Sequence, residues 1–129
     1  MKILVAGHGA LPDAMVDSAR LIGGELSDVT SICLETDDSP QRLRDRLLRL
    51  LEEFPAELIL TDLPGGTPDN VANLVAKAGQ TPSVRLVIAG VSLPLLLEFA
   101  LSNVDMDQLN PDDFISETSA IVRFRREDL

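Results

Sequence analysis

The chain has no tryptophan and no tyrosine, so four phenylalanines are its only large aromatic side chains. Single-stranded nucleic-acid binders stack bases on aromatic platforms, and this sequence offers few. Basic residues are scarce too: 11 Lys and Arg stand against 21 Asp and Glu, a formal net charge of −10. Duplex binding rests on neutralising phosphates, so no nucleic-acid partner is expected. An acidic field speeds encounter with a basic protein, and it equally keeps a soluble protein from aggregating.

A single cysteine excludes an intrachain disulfide and fits a reducing compartment. Cys33 lies between Ile32 and Leu34 and reads as a core thiol. Long hydrophobic runs are also missing: none reaches membrane-spanning length, and the apolar residues 3–6 are too short for a signal peptide. A cytoplasmic protein without membrane insertion is expected. What is present is a globular composition, 45% apolar over 129 residues. A chain of this length buries roughly two-thirds of its unfolded surface as one domain, residues 1–129, without a disulfide or metal staple. No repeat, low-complexity segment or Gly/Ser linker divides it.

Strand-like and helix-like segments alternate. Residues 2–6 read as a strand and 10–22 as a helix, stopped by Gly23-Gly24. Residues 29–34 form a second strand. Ser39 and Pro40 then supply an N-cap and a first-turn proline for a helix whose Leu43, Leu47, Leu50, Leu51 and Phe54 share a face. Arg42, Arg44, Arg46 and Arg49 lie mostly off that face and read as a solvated surface balanced by acids. Residues 57–62 form a third strand, 68–78 a helix with Thr67 as its N-cap, 84–89 a fourth strand and 93–101 a fourth helix. Pro111 opens a short acidic turn, and residues 120–125 read as a last strand. Strands separated by helices imply a parallel sheet covered on both faces, an α/β fold.

Function in such folds gathers at the carboxyl ends of the strands. Two unusual segments fall there. Gly7-His8-Gly9 follows strand one, and Asp62-Leu63-Pro64-Gly65-Gly66-Thr67-Pro68 follows strand three. If those strands are neighbours, His8 and Asp62 emerge side by side. A carboxylate accepting the Nδ1 proton would fix the imidazole tautomer and turn a basic Nε2 outward to attack a phosphoryl group. The Thr67 hydroxyl and the N–H groups of Gly65, Gly66 and the helix start are candidates to receive phosphoryl oxygens, with Gly9 beside the histidine. On the residues alone, Gly65-Gly66 could be only a tight turn and Asp62 only a capping group. Gly7-His8-Gly9 lacks the third glycine and the ribose-binding acid of a dinucleotide site. His8 and Asp62 offer a metal only two ligands, so neither metal nor cofactor is expected.

At these residues the chain resembles the enzyme IIA domains of the mannose/fructose/sorbose-class sugar phosphotransferase system. The marks are Gly7-His8-Gly9, the run Thr61-Asp62-Leu63-Pro64-Gly65-Gly66-Thr67-Pro68-Asp69-Asn70, and Ile88-Ala89-Gly90-Val91-Ser92-Leu93-Pro94. The resemblance implies a three-layer α/β/α fold with a mostly parallel four-stranded sheet in the order 2-1-3-4. It adds a C-terminal antiparallel edge strand exchanged in a homodimer. It implies that His8 takes phosphate from phospho-HPr and passes it to an enzyme IIB component, on a separate chain since no IIB domain follows, for uptake through membrane IIC and IID components. Asp62 would be the partner at Nδ1, and Thr67 would stand near the phosphoryl group. The segment 102–119, broken by Pro111, looks shorter than the family's usual helix. An HPr-dependent regulatory module and the carrier that feeds dihydroxyacetone kinase are the alternatives on the same fold.

Overall fold

The computed structural model describes residues 1–79 and 81–121. Its elements alternate: β1 Ile3–His8, α1 Leu11–Gly23, β2 Val29–Leu34, α2 Pro40–Glu53, β3 Leu58–Thr61, α3 Thr67–Lys77, β4 Leu86–Ala89, α4 Leu93–Leu101 and α5 Pro111–Ser119. A 3₁₀ turn at Met106–Gln108 precedes α5.

The strands pair in parallel in the order β2-β1-β3-β4, as expected. The inner strand β1 is apolar on both faces because helices cover both. Ile3 and Val5 of β1 face Val16, Ala19, Leu96 and Phe99 of α1 and α4. Leu4 and Ala6 face Leu43, Leu47, Val71 and Val75 of α2 and α3. Alternation along a strand thus places successive side chains in different cores of a three-layer sandwich.

Local signals account for several boundaries. Ser39 caps α2, its Oγ accepting from the Arg42 N–H at 3.1 Å, with Pro40 opening the helix. Gly23 is the last helical residue of α1, and Gly24 ends it at φ +81°. Arg46 turns its guanidinium back to the Cys33 carbonyl at 3.1 Å and pairs with Asp38, so this arginine braces the edge strand β2.

One expectation needs correction. The region after Pro111 is a helix, α5, not a short turn. Asn110 caps it, accepting from the Asp112 N–H at 3.2 Å, and Phe114 stacks on Phe99 with ring centroids 4.5 Å apart. Asn-Pro is a helix start of the same kind as Ser39-Pro40, and Asp112 and Asp113 suit the positive end of the helix dipole. The last strand, expected at 120–125, falls mainly outside the described residues: Ala120 caps α5, Ile121 lies in a turn, and residues 122–129 are not described.

Candidate functional site

β1 pairs with β3 only as far as Ala6 opposite Thr61, but with β2 it continues through Gly7 opposite Cys33 and His8 opposite Leu34. The strand therefore runs two residues past its expected end, and His8 is its last residue. β3 stops at Thr61, where the chain turns, and the Asp62 N–H donates to the Ala6 carbonyl at 3.1 Å. This brings the Asp62 side chain across the end of β1.

Gly7 makes that crossing possible. A Cβ there would lie 2.8 Å from Asp62 Cγ, closer than side chains approach. The carboxylate fills the space, and its Oδ2 accepts from the His8 backbone N–H at 2.9 Å and lies 2.9 Å from His8 Nδ1. Gripping backbone and ring of one residue through one oxygen fixes the imidazole's direction. A carboxylate oxygen can only accept here, so the neutral ring carries its proton on Nδ1, an assignment made from the partner. Nε2 keeps its lone pair. The Asp62 side chain is 10% exposed and that of His8 45%, so the ring is open to solvent while its partner is not. Asp62 Oδ1 is buried without a hydrogen-bond partner among the described residues, so the carboxylate retains acceptor capacity.

Gly66 lies against the imidazole. A Cβ on it would stand 2.9 Å from His8 Cε1 and 3.5 Å from Nε2. Gly66 is also the N-cap of α3, and Thr67 is the first helical residue rather than the expected cap. Threonine and glycine are comparable caps by preference, and only glycine fits beside the ring. The Thr67 N–H and hydroxyl make no hydrogen bond among the described residues, as befits the open start of a helix.

The glycine N–H groups expected to be free are engaged. Gly9 donates to the Leu34 carbonyl at 3.0 Å and Gly66 to the Leu63 carbonyl at 3.2 Å. Gly65, at φ +78°, donates to Asp69 Oδ2 at 3.0 Å. Their contribution is shape and turn geometry, and the donors at this end of α3 without a partner among the described residues are the Thr67 N–H and hydroxyl and the Asp69 N–H. The third motif closes the site from β4: the Gly90 and Val91 N–H groups both donate to the Thr61 carbonyl at 2.9 Å. Ser92 caps α4 through Oγ.

Sequence reasoning missed Asp69. Its buried carboxylate accepts from Thr61 Oγ1 at 2.8 Å and from the Gly65 N–H, and Asn73 donates to it at 3.2 Å. The signal was an acid at the third position of α3, where a capping-box residue reaches back. Because the cap is glycine, the usual Ser/Thr-x-x-acid pattern was not there to mark it. Away from the site, Cys33 is buried as expected, and burial pushes its thiol above its ordinary value. Among the described residues no three His, Cys, Asp or Glu side chains gather where they could hold a metal ion, and no helix is long and apolar enough to cross a membrane.

An α/β/α sandwich presenting a carboxylate-held histidine at the carboxyl end of its central strand is an arrangement suited to carrying a group on Nε2. The model of the EIIA-man family, the PTS system fructose IIA component, matches residues 2–112, and the chain belongs to that family of sugar phosphotransferase components. It is 32% identical over 101 residues to the PTS system fructose-specific EIIA component of Bacillus subtilis, covering 76% of this chain and 67% of that one. It is 33% identical over 114 residues to the sorbose-specific EIIA component of Lacticaseibacillus casei, covering 84% and 80%. Among solved structures, the mannose/sorbose-specific IIA subunit from Enterococcus faecalis superposes with a TM-score of 0.78 at 29% identity, covering 99% of this chain and 97% of that one.

Proposed function

We propose that the protein is a phosphoryl carrier of sugar uptake, accepting phosphate from phospho-HPr on His8 Nε2 and passing it to an enzyme IIB component. The observation that carries this reading is the 2.9 Å contact between His8 Nδ1 and Asp62 Oδ2, which leaves Nε2 as the ring's one free nucleophile. Family membership supports it.

In the step proposed, the Nε2 lone pair attacks phosphorus in line with the donor's N–P bond. A new N–P bond forms at Nε2, the old one breaks, and the donor imidazole nitrogen keeps the electron pair. The His8 ring gains positive character as the bond forms. Asp62 stabilises that charge and retains the Nδ1 proton in its hydrogen bond, as an orienting carboxylate does beside other catalytic histidines. The Thr67 N–H and hydroxyl, at the positive end of α3, are the donors offered to the phosphoryl oxygens. Transfer to IIB reverses the geometry with a new acceptor.

The test is incubation with phosphoenolpyruvate, enzyme I and HPr. Acid-labile label on the wild-type chain and none on a folded His8→Ala variant is expected; label persisting on the variant contradicts the reading. The carrier is further proposed to work in the cytoplasm as a homodimer, with the segment 120–125 exchanged onto the partner's sheet edge. The edge of β4, unpaired among the described residues, and the apolar Ile121, Val122 and Phe124 support the exchange. Light scattering on the intact chain and on one ending at Ser119 checks it: an intact protein that stays monomeric at high micromolar concentration refutes it.

A further inference from the structure

We propose that Asp69 is the positioning residue of this site: its carboxylate holds the turn that aims His8 and Asp62. The kinetic consequence rests on the phosphoryl-carrier reading; the effect on the imidazole does not.

An acid in the first turn of a helix ordinarily does no more than complement the dipole. Asp69 uses both oxygens, and its partners lie at the two ends of the functional segment. Oδ1 accepts from Thr61 Oγ1 at 2.8 Å, and Thr61 immediately precedes Asp62. Oδ2 accepts from the Gly65 N–H at 3.0 Å, and Gly65 immediately precedes the glycine that lies on the ring. One buried carboxylate thus ties the end of β3 to the turn that returns over His8.

Little else can do this. Gly65 sits at φ +78°, where no side chain of its own restrains it. Its carbonyl is taken by Asn70 Nδ2 at 3.1 Å, so that peptide unit is held at both its donor and its acceptor. Among the described residues, no other side chain bonds the backbone of residues 63–66. Without Asp69 the turn can drift from the ring, while the strand end itself stays pinned by the Asp62 N–H on the Ala6 carbonyl and the Gly90 and Val91 N–H groups on the Thr61 carbonyl.

Removal and conservative replacement should differ. Asp69→Ala abolishes both ties. Asp69→Asn keeps an oxygen for the Gly65 N–H, and its amide can donate to the Thr61 hydroxyl, which turns to accept, at the cost of the 3.2 Å bond from Asn73 Nδ2. His8 is the only histidine, so the imidazole nitrogens of a ¹⁵N-labelled chain report on this site alone. In the wild type the Nδ1-protonated tautomer should dominate. In Asp69→Ala it should give way toward the Nε2-protonated form. The rate of transfer from phospho-HPr should fall about 10²-fold, the cost of misplacing a reacting group by an ångström, with half-saturation in donor unchanged. Asp69→Asn should restore most of both.

Thr61→Val, which keeps shape and removes one tie, should move tautomer and rate the same way by less, and it decides the matter if Asp69→Ala does not fold. A folded Asp69→Ala with wild-type tautomer and rate overturns the proposal. So does a variant that loses only thermal stability. If tautomer follows Asp69 but no chain, wild type included, accepts phosphate, the carrier reading falls and the positioning role stands.

Discussion

Replacing Gly66 by alanine adds one methyl group at the point where the turn meets the imidazole. The backbone there, at φ −72° and ψ 167°, is open to any residue, so the substitution carries no conformational strain. The conflict lies wholly with the ring: the new carbon would stand 2.9 Å from His8 Cε1. Non-bonded carbons settle at about 3.5–4.0 Å, so roughly 0.6–1 Å must open between them. The Leu63 carbonyl, 3.4 Å from the same position, limits retreat of the turn. The ring therefore swings, and the 2.9 Å contact from Nδ1 to Asp62 stretches toward 3.5 Å, beyond a useful hydrogen bond. A reacting group misplaced by an ångström costs on the order of 10²-fold in rate. The fold loses much less: alanine is a poorer N-cap than glycine, by up to about 1 kcal/mol, or a few degrees in Tm. Rapid-quench transfer from phospho-HPr, read beside a melting curve, separates the two. A rate within about twofold of wild type in the folded variant would refute the argument that Gly66 is glycine for the ring's sake.

Asp62→Asn keeps an oxygen for the His8 N–H and for Nδ1 but removes the charge, so transfer should slow by about 10²-fold while His8 remains the labelled residue; an unchanged rate would leave Asp62 a structural group only. Cys33 carries a pH dependence whose sign follows from burial. Its folded-state value is raised, so its contribution to stability is complete below the thiol's ordinary value of 9.0 and is lost as pH rises above it toward the folded value. Denaturant midpoints for the wild type should therefore fall relative to Cys33→Ala only above about pH 9, and parallel profiles across that range would contradict the burial account.

The fold was legible where local chemistry and global pattern agree. Continuous apolar strands such as Ile3 to Ala6, each followed by a helix, can only be buried between two helical layers. The pairing of His8 with Asp62 was legible because one ends a strand and the other directly follows one, each beside unusual glycines. What escaped depends on atoms meeting across space. Glycine at position 7 reads as freedom in the sequence, yet its use is to make room for a carboxylate from another strand. Cap preference does not separate threonine from glycine, and the imidazole decides the matter for Gly66. Gly65 and Gly66 advertise free N–H groups, but Asp69 and the Leu63 carbonyl take them. Helix α5 was hidden because Pro111 and two acids resemble a turn until Phe114 finds Phe99.

The central claim is that Asp62 occupies Nδ1 and reserves Nε2 for chemistry. It is tested most directly by NMR of the ¹⁵N-labelled chain after phosphorylation through enzyme I and HPr, reading which imidazole nitrogen of His8 couples to ³¹P. Coupling to Nε2, with Nδ1 still protonated, is the result this account predicts. Phosphorus bonded to Nδ1, or to any residue other than His8, would contradict it.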